Sequence, residues 1–219
     1  MAQPLVSVVV AVRNGEAYLT EALDSIALQQ FEDLEVVVVD DGSTDGSAAL
    51  SACHATRPIV INQPPLGNPA AMNEGVRRSN GKFIAMLDCD DVWPAARLAN
   101  MLAAFEREGE QLDMVFGAMV NTNRDLRPIG TASAARMLTA GLLRRTAVLK
   151  VGEFRTDISH GSNVDWISRA ISMGLHFELI DSLVLLRRIH DDNAGIRQKD
   201  TARLDMLKVI RDHHARQKR

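Results

Sequence analysis

The sequence predicts an α/β fold built on a mostly parallel sheet. Three observations carry this. Short runs rich in β-branched and apolar residues alternate with stretches whose apolar positions recur at helical spacing. Two acidic clusters, Asp40-Asp41 and Asp88-Cys89-Asp90-Asp91, each follow one of those runs directly. Carboxyl ends of strands are where open α/β sheets bind ligands. No internal repeat, low-complexity linker or bilayer-length apolar run interrupts the pattern.

The elements follow in order. Ser7 to Val12 reads as a buried strand, closed by the turn Arg13-Asn14-Gly15. Tyr18 to Gln29 carries Leu19, Ala22, Leu23, Ile26 and Ala27 at helical spacing. Val36 to Val39 is the second strand and Ser47 to Ala55 a short helix. Ile59 to Ile61 is a third strand. Pro69 to Arg78 is a helix with Pro in its first turn. Phe83 to Leu87 is the fourth strand, and Pro94 to Glu108 a helix ended by Gly109. Beyond it the pattern loosens. Met114 to Val120 is expected as a strand, Arg124 to Ser133 as an exposed loop, and Ala134 to Lys150 as a helix interrupted near Gly141. Val164 to Met173 is a helix ended by Gly174, Ser182 to Ile189 a strand, and Thr201 to Arg216 an amphipathic terminal helix.

Bulk composition narrows the classes. The chain has 219 residues, 46% hydrophobic and 24% charged, enough for a sizeable core in one domain. A net charge of −3 argues against a general nucleic-acid binder. The charge is uneven: residues 197–219 hold eight Lys/Arg against three Asp, a net of +5, leaving −8 for the rest. A solvated helix face is the default for this tail, and peripheral contact with an anionic membrane the sharper alternative. Cys53 and Cys89 fit no metal spacing and no structural disulfide, in keeping with a reducing compartment. No charged n-region and cleavage site precedes the first strand, so a soluble, cytoplasmic protein is expected, at most peripheral to the inner face of a membrane.

Clustered carboxylates repel unless a cation lies between them, so Asp88, Asp90 and Asp91 point to a divalent metal. The opening VSVVVAVRNGEAYLTEALDSIALQQFEDLEVVVVDDGSTDGS and the later GNPAAMNEGVRRSNGKFIAMLDCDD carry this further. Together they resemble the nucleotide-binding start and the D-x-D segment of the family-2 glycosyltransferases. The likeness runs from Val6 to about Leu98 and then thins.

The resemblance implies a GT-A fold and inverting transfer from a nucleoside-diphosphate sugar, UDP foremost, with Mn²⁺ or Mg²⁺. It divides a single domain into a nucleotide-sugar half (1–98), an acceptor half (99–196) and a basic C-terminal helix (197–219). It assigns Asp90 as principal metal ligand, with Asp88 nearer the ribose or metal shell, and it gives Asp91 either ligation or the capping of the next helix. Asp41 matches the position that accepts a hydrogen bond from the nucleobase, with Asp40 before it. Ala11 and Arg13 line the base pocket, and Ser43 and Asp45 are expected to cap the next helix.

Arg187-Arg188-Ile189-His190 followed by Asn193 resembles the family's Arg-x-His element. It places Arg188 near the diphosphate and His190 near the metal, with 191–198 as a closing lid. Asp165, opening a helix with Arg169 four residues on, is the expected general base, and Asp157 and Asp181 are lesser alternatives. The chain departs from the family pattern at Met72, at Pro94, and where an offset alignment puts Asn163 at the base position. Trp93 and Trp166 are expected to pack rather than to meet sugar. Leu204, Leu207 and Ile210 are expected to pack on the core, with a homodimer or membrane contact as alternatives. The acceptor is left open among saccharide, lipid, peptide and small molecule. The competing classes are a GT-A module that has lost transfer and, further off, a nucleotidyltransferase. A dinucleotide oxidoreductase is disfavoured because no G-x-G-x-x-G follows a strand.

Overall fold

The computed structural model describes residues 3–191, 193 and 199–217. Eight strands form one sheet: β1 (Val6–Val12), β2 (Leu34–Asp40), β3 (Ile59–Asn62), β4 (Phe83–Asp88), β5 (Met114–Thr122), β6 (Pro128–Ala134), β7 (Gly141–Arg144) and β8 (Phe177–Arg188). The helices are α1 (Leu19–Ala27), α2 (Ser47–Cys53), α3 (Asn68–Arg78), α4 (Arg97–Glu108), α5 (Arg145–Val151), α6 (Ser162–Ser172) and α7 (Lys199–Gln217). Their order and layering give a mostly parallel sheet flanked by helices, the architecture expected from the sequence.

β1 lies at the centre, parallel to β2 on one side and β4 on the other. All seven of its residues are buried because helices cover both faces. Val8, Val10 and Val12 pack with Leu19, Leu23 and Leu98 on one face. Val9 and Ala11 pack with Ala71, Met72 and Trp166 on the other. α3 approaches so closely that a Cβ on Gly75 would lie 2.2 Å from Val9 Cγ1.

Register decides where the acidic residues land. Val12 pairs with Asp40, and Ala11 pairs with Asp88. The ends of three adjacent strands therefore open onto one edge of the sheet, with both clusters on it.

The second half departs from the expectation. Residues 134–150 do not form an interrupted helix. They end β6, make a 3₁₀ turn at Leu138–Ala140, run through β7, and only then enter α5. β7 slots antiparallel between β4 and β5, a pairing set by distant partners and invisible to local periodicity. The expected loop at 124–133 mostly becomes β6, an exposed hairpin arm on β5. β8 starts five residues earlier than expected and lies parallel to β5.

One buried cation holds this half together. Arg97 is fully buried, and its guanidinium donates to the carbonyls of Thr139 (2.8 Å), Val184 (2.9 Å) and Gly141 (2.7 Å). Its Cζ sits 4.1 Å from the centre of the Trp93 ring. Burial pushes its pKa down to about 9, so it stays charged at neutral pH.

Trp93 and Trp166 are core residues, as expected. α7 is not the amphipathic helix expected. Val209 is buried, but Leu204, Leu207 and Ile210 are exposed, which corrects the packing expectation for them. Among the described residues no helix is long and apolar enough to cross a membrane.

Candidate functional site

A cleft of about 550 Å³ opens at the carboxyl ends of β1, β2 and β4. Ala11, Val12 and Arg13 form its floor, and Asp41, Gly67 and Asn68 one side. Asp88, Asp90 and Asp91 line it too, with Arg187 and Arg188 of β8 beside them, and residues 159–163 supply a further stretch of its wall.

The base-side carboxylate is held by its own loop. Asp41 is buried, and its Oδ1 accepts from Gln63 Nε2 (2.7 Å) and the Leu66 amide (2.8 Å). Its Oδ2 accepts from the Gly67 amide (2.9 Å). A carboxylate offers about four lone-pair positions, so one remains, on Oδ2. Asp40 has a different place. It is absent from the cleft lining; its Oδ1 accepts the Ser43 amide (2.7 Å), closing the turn after β2, and its buried Oδ2 has no hydrogen-bond partner among the described residues. Ser43 and Asp45 brace the β1–α1 loop, accepting from the amides of Asn14 (3.0 Å) and Glu16 (3.1 Å). Asp45 also takes the Ser47 amide at the start of α2.

Asp88, Asp90 and Asp91 bring one carboxylate oxygen each within 4.8 Å of one another. Burial, followed by the charge of Asp90, pushes Asp88 up to about 7 against an ordinary 3.8. Asp91 is pushed up as well, by burial first and then by its two neighbours. Three acids strained in this way are a donor set that a divalent cation fits. Asp91 does not cap a helix, because its Oδ1 accepts the Arg188 amide (2.8 Å) and ties the cluster to β8. The helix-capping expectation for it is therefore corrected.

His190 and Asn193 both converge on Asp90. His190 Nε2 lies 3.0 Å, and Asn193 Nδ2 2.9 Å, from Asp90 Oδ2, so both hold the carboxylate in place. The Tyr18 ring packs on His190 at 4.8 Å and on the Arg188 guanidinium at 4.5 Å. Sequence reasoning missed Tyr18, whose partners lie some 170 residues away.

Arg188 itself is committed to the protein. Its guanidinium donates to the Asp90 carbonyl (2.9 Å), the Arg124 carbonyl (2.6 Å) and Glu21 Oε2 (2.5 Å). The diphosphate contact expected of it would have to come from the two N–H groups that these bonds leave. Arg187 lines the same cleft, acts on Asp88 with its charge, and among the described residues has as side-chain partner only a long contact (3.5 Å) to Asn121. Arg13 is exposed at the mouth and meets no carboxylate among the described residues. The lid expected over 191–198 lies outside the described residues except for Asp191 and Asn193.

Asp165 is not in the cleft. It is fully buried, with Oδ2 2.9 Å from Arg169 Nε and Oδ1 3.0 Å from Arg216 Nη2. Arg155 adds a third guanidinium at 3.7 Å. A general base must reach an acceptor hydroxyl, and a carboxylate locked among three arginines does not, so the catalytic expectation for Asp165 is corrected. Asp157 is bound by Arg155 and Lys208, which hold it well below the carboxylate range. Asp181 does not line the cleft. From this stretch Ser159, His160, Gly161, Ser162 and Asn163 face it instead.

Comparison with known proteins agrees with this architecture. The model of "Glycosyl transferase family 2" matches residues 7–168. The PGL/p-HBAD biosynthesis glycosyltransferase of Mycobacterium bovis is 34% identical over 142 residues, covering 63% of this chain and 56% of that protein. The structure of S. aureus TarS 1–349 in complex with UDP-GlcNAc superposes with a TM-score of 0.74 at 19% identity, over 93% of this chain and 66% of that one. The mannosyltransferase PcManGT of Pyrobaculum calidifontis, in complex with GDP-Man and Mn²⁺, gives 0.71 at 20%, over 99% and 64%. The matched stretch spans between 27% and 56% of the length of the curated relatives. With the matched model covering well over half of its residues, the chain belongs to glycosyl transferase family 2.

Proposed function

We propose that this chain is a metal-dependent, inverting glycosyltransferase that uses a nucleoside-diphosphate sugar, with UDP as the nucleotide. The observation that carries the reading is the convergence of Asp41, Asp88 and Asp90 on one cleft at the ends of adjacent parallel strands, with Arg187 facing them. Structures of similar fold have been solved with UDP-GlcNAc and with GDP-Man and Mn²⁺.

Each residue has a physical task. Asp41 takes the nucleobase imide. Its single vacant lone-pair position suits one N–H, as on N3 of uracil, better than the two-donor edge of guanine. Asp88 and Asp90 hold the cation, and His190 and Asn193 fix the orientation of the Asp90 carboxylate. A bound Mn²⁺ or Mg²⁺ supplies Lewis acidity toward the diphosphate leaving group. Arg187 adds charge on the same side. The wall at 159–163 receives the acceptor, whose hydroxyl attacks the anomeric carbon from the face opposite the departing diphosphate.

One observation favours a second reading, a GT-A module without transfer: no free carboxylate lines the 159–163 wall. The test is a calorimetric screen of UDP, GDP, dTDP and CMP with and without Mn²⁺, repeated on Asp90→Ala. The expected result is UDP binding that needs Mn²⁺ and weakens at least ~10-fold in the variant, about 1.4 kcal/mol. Absence of metal-dependent binding to all four would sink the transferase reading.

A further inference from the structure

We propose that His160, backed by Asp205 of α7, is the group that takes the acceptor's proton. The inference rests on the transferase reading above and deepens it.

Four observations support the assignment. First, His160 is the sole titratable side chain on the 159–163 wall; its neighbours there are serines, a glycine and an asparagine. Second, among the described residues both of its ring nitrogens are buried without a hydrogen-bond partner. Leaving a buried polar atom unpaired costs ~1–3 kcal/mol, so this imidazole holds hydrogen-bonding capacity that a turn of the ring toward the cleft would satisfy. Third, Asp205 stands behind the ring, its Oδ2 3.9 Å from Nδ1. The same oxygen accepts the amides of Ser159 (2.8 Å) and His160 (2.9 Å), so Asp205 fixes the loop that carries the ring. Fourth, the nearby carboxylates are engaged elsewhere: Asp165 with arginines, and Asp157 with Arg155 and Lys208.

The local backbone explains the placement. Gly161 adopts φ +76°, a left-handed conformation that favours glycine, and it turns the chain from the His160 loop into α6. Met206 and Val209 of α7 pack within 3.7 Å of the position a Cβ would occupy on Gly161. The loop is thus pressed between α6 and α7, with its imidazole at the cleft wall.

The step balances. A hydroxyl oxygen of the acceptor forms a bond to the anomeric carbon, and the bond from that carbon to the diphosphate oxygen breaks. The electron pair leaves on the diphosphate, and the hydroxyl proton passes to a ring nitrogen of His160. The ring turns toward the cleft as the acceptor enters, in the way that catalytic hydrogen bonds loose in the free enzyme tighten in the complex. Asp205 then faces an imidazolium rather than a neutral ring, a role of positioning and charge stabilisation.

The test uses the full chain and the nucleotide sugar whose diphosphate binds in the calorimetric screen, with water as acceptor. Release of nucleoside diphosphate is followed for the parent, His160→Ala, His160→Gln and Asp205→Asn. The expected result is unchanged nucleotide affinity, which also reports folding, and kcat down ~10²–10⁴-fold in both His160 variants. Added imidazole should restore part of the rate to His160→Ala but not to His160→Gln, whose side chain fills the space. Asp205→Asn should lower kcat with KM for the donor unchanged. Turnover retained in His160→Ala overturns this proposal and leaves the transferase reading standing. A parent protein that binds nucleotide but turns over no donor overturns both.

Discussion

Replacing Arg97 with Met tests the claim that one buried cation organises the second half of the sheet. The substitution keeps volume and an apolar stem but removes the donors to three buried carbonyls, those of Thr139, Val184 and Gly141. An orphaned buried acceptor costs ~1–3 kcal/mol, and the lost stacking on Trp93 adds ~0.5–2. Relief from burying a charge that has no counter-ion offsets part of this, which leaves a net loss of about 3–5 kcal/mol. For a chain of this size each kcal/mol lowers Tm by ~2–4 °C, so the drop should be about 6–20 °C. Thermal unfolding followed by circular dichroism, with urea unfolding at 25 °C as the second measure, reads both quantities. Arg97→Lys should fall between, since a compact ammonium cannot span three carbonyls in a plane. A loss below ~1 kcal/mol with Arg97→Met would show that β7, β8 and the turn before β7 hold their positions without the guanidinium.

Three further outcomes follow from the geometry. Asp165→Ala strands the guanidiniums of Arg169 and Arg216 and should cost ~3–5 kcal/mol of stability while leaving UDP–Mn²⁺ affinity within twofold; loss of turnover without loss of stability would restore Asp165 as the base. Asp88 carries a native pKa of about 7 against 3.8 unfolded, so the native state binds more protons between those values. Metal-free protein should therefore lose stability as pH rises from about 4 to about 7, and Mn²⁺ should raise Tm more at pH 8 than at pH 5; equal increments at both would refute the strain at that cluster. Gly75→Ala drives a methyl into Val9 and should destabilise by ~1–3 kcal/mol, measured by urea unfolding; a neutral result would mean that α3 can lift from β1 without cost.

The first half of the fold was legible because β1, β2 and β4 are buried on both faces, so each appears as an unbroken apolar run bounded by turn residues. The same strand ends fix Asp41, Asp88 and Asp90, which is why the acidic side of the cleft could be read from linear order alone. β6 and β7 could not. Gly141 looked like a break in a helix, whereas the residues after it are held as a strand by β4 and β5, more than fifty and twenty positions away. Asp165 misled for a related reason. Its helical position was right, but its partners Arg155 and Arg216 come from segments on either side that periodicity cannot bring together. Arg188 was read by motif as a free cation, and only the packed structure commits its guanidinium to Glu21 and two carbonyls. The unpaired nitrogens of His160 left no trace in the sequence, because an absent hydrogen bond has no spacing.

The two walls of the cleft depend on different stretches of the chain. The nucleotide wall hangs on β1, β2 and β4, all complete by residue 88. The other wall is fastened by α7, through Asp205 on the His160 loop, Lys208 on Asp157, Asp212 on Arg155 and Arg216 on Asp165. Unseating α7 would therefore release the 159–163 loop and α6 from their side-chain ties while the strand ends that carry Asp41 and Asp88 keep theirs, so one face of the cleft can loosen without the other.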